Sequence, residues 1–220
     1  MTETIGKNEL ARMFAGAAAR IRSEHEQLSE LDSIGGDGDH GATMLRAMTR
    51  LEEATIPERT GDLKTILREA GWSVLGVDGG ASSSMLGIFF SGMSDAPITS
   101  ASLDCAGLTA AFEAGLKAAS KQTRAVPGDK TMMDALIPAV QALRSAADRG
   151  GCITEALEAA ANAARAGAES TKNLTAHYGR AKHLGEKTLG YQDPGAMSVA
   201  LIFEGFCSGL AESKGETDNG

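Results

Sequence analysis

The 220-residue chain carries 21 basic and 29 acidic side chains, a formal net charge of −8, and is 42% hydrophobic but only 4% aromatic. It is long enough for one domain with a substantial core, no Pro/Gly/Ser-rich linker divides it, and its acidity without a basic stripe argues against nucleic acid or an anionic membrane as partner. Cys105, Cys152 and Cys207 are odd in number and form no CxxC pair, so neither a disulfide framework nor a zinc site is indicated; with no signal-like N-terminus and no run of about 18 apolar residues, a cytoplasmic protein is expected.

The many alanines and few aromatics favour closely packed helices. From Lys7 to Leu31 the residues Leu10, Met13, Phe14, Ala17, Ile21, Leu28 and Leu31 recur every three or four positions, the period of one helix face. This helix delivers the most informative stretch, Leu31 to Gly41, which holds three carboxylates and four glycines. Asp32, Asp37 and Asp39, crowded together, raise one another's pKa and oppose folding unless a cation sits among them. An all-oxygen donor set suits a hard ion such as Mg²⁺, which takes its remaining ligands from water and phosphate. Read locally, Gly-Asp-Gly-Asp is also an ordinary solvated turn or helix cap. An EF-hand does not fit: counted from Asp37, Ala42 falls where the turn glycine belongs and Met48 where the closing glutamate is required.

A second helix carries Met44, Leu45, Met48 and Leu51, with its N-terminus at His40 to Thr43, so that free amides and the positive dipole end face whatever the acidic loop binds. Pro57 and Gly61 punctuate the connection to a third helix on Leu63, Ile66, Leu67, Ala70 and Val74. The turn from Gly76 to Ser84 has the composition of an anion cradle and, equally, of a serine-capped turn; it opens on the stripe Met85, Leu86, Phe89, Phe90 and Met93. A fifth helix carries Leu103, Leu108, Phe112 and Leu116, and a sixth runs through Met132, Met133, Leu136, Ile137, Val140 and Leu143. Asp129 and Thr131 read as capping residues of that sixth helix, and Pro138 predicts a kink or local unwinding within it. Thr154 begins an alanine-rich seventh helix. His177 to Gln192 is polar, glycine-bearing and cationic at Arg180, Lys182 and Lys187, which predicts a long loop of the lid type. Asp193 as N-cap and Pro194 at the first helical position start the last helix. One domain over 1–210 is expected, followed by a disordered acidic tail over 211–220.

Four separated motifs stand in order: Gly36-Asp37-Gly38-Asp39-His40-Gly41; Gly79-Gly80-Ala81-Ser82 with Gly87 and Phe89-Phe90; Pro127-Gly128-Asp129-Lys130-Thr131-Met132; and Gly179-Arg180-Ala181 through Leu184-Gly185-Glu186 to Gln192-Asp193-Pro194-Gly195-Ala196. With them the chain resembles, over nearly its whole length, the L subunit of dihydroxyacetone kinase (DhaL) and the equivalent domain of single-chain dihydroxyacetone kinases. The resemblance implies an all-α, eight-helix antiparallel barrel with ADP or ATP at one end. It implies Asp32, Asp37 and Asp39 as ligands of two Mg²⁺ ions bridging the phosphates. It also implies that His40, Gly41, Ala42, Thr43, Ala81, Ser82, Met132, Arg180, Asp193, Pro194 and Gly195 line the nucleotide site.

The activity so implied is phosphoryl transfer to a hydroxyl of dihydroxyacetone or a related short ketose, held by a separate K subunit; no general base is assigned in this chain. The donor is free ATP, or a phosphotransferase-system phosphocarrier acting on bound ADP, and a homodimer is compatible with the resemblance. Two other readings are a noncatalytic regulatory module that retains its nucleotide, and the donor domain of a fatty-acid kinase, against which the length counts. Ser83 stands where the family commonly has glycine, Thr43 where asparagine is frequent, and Thr123 where a glycine often meets the base.

Overall fold

The computed structural model describes residues 4–56 and 61–211; Pro57 and the 212–220 part of the expected tail lie outside the described residues. Eight helices follow in order: α1 (Lys7–Ser33), α2 (His40–Ala54), α3 (Leu63–Leu75), α4 (Ala81–Met93), α5 (Cys105–Ser120), α6 (Met133–Asp148), α7 (Ile153–Ser170) and α8 (Pro194–Ala211). Each packs on its neighbours in sequence and α8 returns to α1, so the helices close into an antiparallel barrel. Among the described residues the sole extended pairing is an isolated bridge between Ile5 and Leu103.

Acidic side chains set several helix starts. Asp62, Asp104 and Asp193 accept from the amides of Thr65, Gly107 and Ala196 at 2.8, 2.8 and 2.7 Å, while Glu9 and Glu155 reach back to the amides of Gly6 and Cys152, each at 2.9 Å. Each such cap stabilises its helix by about 1 kcal/mol. The start of α6 differs from expectation. Met132 holds the cap position, and Asp134, inside the first turn, accepts from the amides of Gly128 at 2.6 Å and Thr131 at 2.7 Å. Asp129 instead binds the Val126 amide and His177, at 2.8 Å in each case. Nor does α6 unwind at Pro138, since it is helical from Met133 to Asp148. The Asp134 carbonyl, which would accept from a residue-138 amide, is covered instead by α7: a Cβ on Gly167 would lie 2.1 Å from it.

All six phenylalanines, Phe14, Phe89, Phe90, Phe112, Phe203 and Phe206, are buried and touch across α1, α4, α5 and α8, edge to face except for the tilted Phe112–Phe203 pair, with centroids 5.4 to 5.9 Å apart. Each such pair adds roughly 0.5–1.5 kcal/mol to simple burial. Helix α8 has the length and apolarity of a membrane span, with mean hydropathy 1.3 over 18 residues, yet 72% of that stretch is buried in the barrel. Glycines on both sides of the α1–α8 contact allow this: a Cβ on Gly209 of α8 would sit 2.1 Å from the Arg12 carbonyl, and one on Gly16 of α1 would sit 2.1 Å from that of Gly205.

Candidate functional site

Asp32 belongs to the last turn of α1 rather than to the loop, Asp37 lies in the connection, and Asp39 is the residue before α2. The chain turns tightly around the first of them. The Gly36 amide donates to the Asp32 carbonyl at 2.6 Å and the Gly38 amide to Asp32 Oδ2 at 3.0 Å, while a Cβ on Gly36 would fall 2.3 Å from Oδ1. Gly38 has φ +77°, open to glycine at no steric cost. As a result one carboxylate oxygen from each of Asp32, Asp37 and Asp39 lies within 4.8 Å of the others.

The guanidinium of Arg180 pairs with Asp37, which holds that carboxyl below its usual range and raises the pKa of Arg180. One monovalent cation leaves a cluster of three carboxylates under-neutralised. An all-oxygen set of this kind therefore fits a hard divalent ion such as Mg²⁺.

Beside the carboxylates lies a cavity of about 280 Å³. His40, Ala81 and Pro194, the first residues of α2, α4 and α8, all line it, so three helix N-termini converge there. The positive dipole ends favour an anion, and amide donors are available at the starts of α2 and α4; at α8 Pro194 has no N–H and the Ala196 amide is taken by Asp193, while Arg180 adds a full charge in an otherwise acidic protein.

His40 is buried, which holds its imidazole below the usual pKa, and its Nε2 lies 2.8 Å from Ser198 Oγ. The Ser198 hydroxyl donates to the Pro194 carbonyl at 3.0 Å, so Nε2 is the donor to Ser198 and Nδ1 carries the lone pair. Asp193 is half-buried at the head of α8, and desolvation there pushes its carboxyl up to about 7. Its amide donates to Thr171 Oγ1 at 2.9 Å.

Of the nucleotide-site residues implied by the motifs, His40, Thr43, Ala81, Ser82, Arg180, Asp193, Pro194 and Gly195 line the cavity, as do the three aspartates. Gly41, Ala42 and Met132 do not. Gly41 is a packing residue: a Cβ there would lie 1.7 Å from the His25 carbonyl of α1, so its missing side chain lets α1 and α2 meet and brings Asp32 to Asp39. Ala42 is exposed on α2. Met132 is buried behind Gly195, whose Cβ would lie 3.3 Å from that of Met132.

The cavity also takes in residues not assigned to the nucleotide site from the sequence, among them Ile34, Gly35, Lys130, Tyr178, Thr188, Tyr191 and Gln192. The chain has only two tyrosines, and both fall in the polar segment before α8. That placement was an available signal. Ser83, at the family's usual glycine position, lines the cavity and donates to the Gly80 carbonyl at 3.0 Å.

The segment expected as a free loop is tethered. Arg180–Thr188 forms 3₁₀ turns broken at Gly185, with φ +54°. The His177 amide donates to the Asp129 carbonyl at 3.1 Å and the Gly190 amide to that of Lys172 at 2.7 Å. Arg180, Lys182 and Lys187 remain exposed.

The chain matches the DAK2 domain family over residues 34–208. It is 36% identical over 200 residues to the ADP-binding subunit DhaL of PEP-dependent dihydroxyacetone kinase 1 of Listeria innocua serovar 6a, covering 91% of this chain and 95% of that one. It is 37% identical over 201 residues to the corresponding DhaL subunit of Escherichia coli K12, covering 91% and 96%. Against the human triokinase/FMN cyclase it is 36% identical over 201 residues, but spans only 33% of that chain. The crystal structure of the C. freundii dihydroxyacetone kinase in complex with AMP-PNP and Mg²⁺ superposes with a TM-score of 0.69 at 28% identity, over 90% of this chain and 33% of that one. Its native form gives 0.70 at 27% identity, over 90% and 34%.

Proposed function

The chain belongs to the DAK2-domain family, alongside the DhaL subunits of dihydroxyacetone kinase, and from this premise we propose that it is the nucleotide-binding subunit of a two-component ketose kinase. It binds ADP or ATP with two Mg²⁺ ions. A phosphoryl group then passes to a hydroxyl of dihydroxyacetone, or a related short ketose, held on a separate K subunit. The observation that carries this reading is the convergence of three carboxylates, three helix N-termini and Arg180 on one cavity. The near-complete coverage of two bacterial relatives named as separate subunits supports a partner chain, and their designation as ADP-binding and PEP-dependent supports bound ADP recharged by a phosphocarrier.

Asp32, Asp37 and Asp39 are the residues that would hold Mg²⁺, which when bound supplies charge neutralisation and in-line alignment of phosphate oxygens. The remaining work falls to the chain itself. The amides opening α2 and α4 orient phosphate oxygens, and Arg180 adds a charge-assisted hydrogen bond to charge developing on the transferred group. His40, neutral and fixed on Ser198, keeps the start of α2 in register with α8. Transfer of this kind needs positioning and charge neutralisation more than covalent catalysis.

The test is calorimetry of Mg-ADP against the purified chain, followed by an assay of ketose phosphorylation with and without a cognate K subunit. Binding by the chain alone and turnover only with the partner are expected. Turnover without a partner refutes the two-component reading.

A further inference from the structure

A lysine on the wall of an anion site is ordinarily a phosphate ligand. Lys130 lines the cavity, but its ammonium is already engaged: Nζ donates to the carbonyls of Thr171 at 2.6 Å, Thr188 at 2.8 Å and Tyr191 at 2.6 Å. An ammonium has three protons, and these contacts use all of them. The side chain is buried, and Lys130 is the one non-glycine residue with positive φ, +59°, among the described residues. A left-handed backbone at a lysine persists where surrounding contacts over-determine it.

The three carbonyls come from separate places: just past the end of α7, the last of the 3₁₀ turns, and two residues before Asp193, the cap of α8. One side chain from the approach to α6 thus ties the C-terminal end of the 177–192 segment, at Thr188 and Tyr191, to the end of α7 at Thr171, and that segment carries Arg180. We propose that Lys130 is a positioning residue that sets nucleotide affinity by holding this covering segment in place before the nucleotide arrives. The inference rests on the nucleotide-binding reading above.

The variant Lys130→Met keeps the apolar stem and removes the donors. It is expected to bind Mg-ADP at least fivefold more weakly than wild type. In its nucleotide-free form the amides of Leu189, Gly190 and Asp193, bonded in the structure to Glu186, Lys172 and Thr171, should exchange at least tenfold faster while those of α1 and α5 are unchanged. In wild type, a lysine ¹⁵Nζ spectrum should show one ammonium protected from water with and without Mg-ADP.

A loss of affinity below fivefold overturns the proposal, and so does a loss of affinity with unchanged exchange, which makes Lys130 a direct phosphate ligand. Unprotected Leu189 and Gly190 amides in nucleotide-free wild type also overturn it, whether or not the variant folds. If wild type fails to bind Mg-ADP, the functional reading fails, while the exchange and ammonium measurements still decide whether Lys130 clamps the segment.

Discussion

The contact between α1 and α2 gives the sharpest test of how the fold builds the site. In Gly41→Ala the new methyl would lie 1.7 Å from the His25 carbonyl oxygen, a backbone atom that cannot swing aside. Relief to an ordinary contact of 3.4 Å requires the helices to part by about 1.7 Å, an overpacking cost of roughly 1–3 kcal/mol. For a domain of this size that corresponds to a fall in Tm of about 2–12 °C. Asp32 ends α1 and Asp39 precedes α2, so the same parting spreads a carboxylate cluster whose oxygens now lie within 4.8 Å of one another. Mg-ADP affinity should therefore fall at least tenfold. The assay is paired thermal unfolding and calorimetry, with Ala42→Ser, at an exposed position outside the cavity, as a control that changes neither. Wild-type stability and affinity in Gly41→Ala would refute the packing argument.

Asp37→Ala and Asp39→Ala should each abolish Mg-nucleotide binding while far-UV circular dichroism stays that of wild type, because both side chains are exposed and repel their neighbours; unchanged affinity in calorimetry would contradict the metal assignment. Adding Mg-ADP should slow amide exchange over residues 180–187, whose exposed cations face no phosphate until then, and should change Leu189 and Gly190 little. Equal slowing throughout the segment would contradict the tethered geometry. Asp193 has a folded pKa of about 7 against an ordinary carboxyl value of 3.8, so the folded state binds its proton first. Stability should then fall as pH rises from about 4 to about 7 and level off above, and Asp193→Asn, which keeps the capping oxygen, should flatten that slope in urea titrations.

Much of the architecture was legible in the sequence because the helices are amphipathic and alanine-rich. The apolar residues at period 3.6 placed α1, α3, α7 and α8, and Asp193-Pro194 marked the start of α8 to the residue. The acidic stretch reads locally as either a cation site or an ordinary turn, and the structure brings one oxygen from each of its three carboxylates within 4.8 Å of the others. What the sequence concealed depends on contacts distant along the chain. Asp129-Lys130-Thr131 reads locally as a helix cap, but the partners of Lys130 lie 41, 58 and 61 residues downstream. Gly41 reads as part of a glycine-rich loop, yet what makes it glycine is the His25 carbonyl of the preceding helix. Asp32 reads as a loop residue because Gly35 and Gly36 follow it closely, yet no glycine or proline immediately precedes it and α1 simply continues to Ser33.

Crystals grown with ADP and Mn²⁺ in place of Mg²⁺ test the central claim most directly, through an anomalous difference map collected above the manganese edge. The account predicts manganese peaks within coordination distance of Asp32, Asp37 and Asp39, with the ADP phosphates against the first turns of α2 and α4. Nucleotide bound elsewhere on the barrel, or manganese absent from the three aspartates, would contradict it.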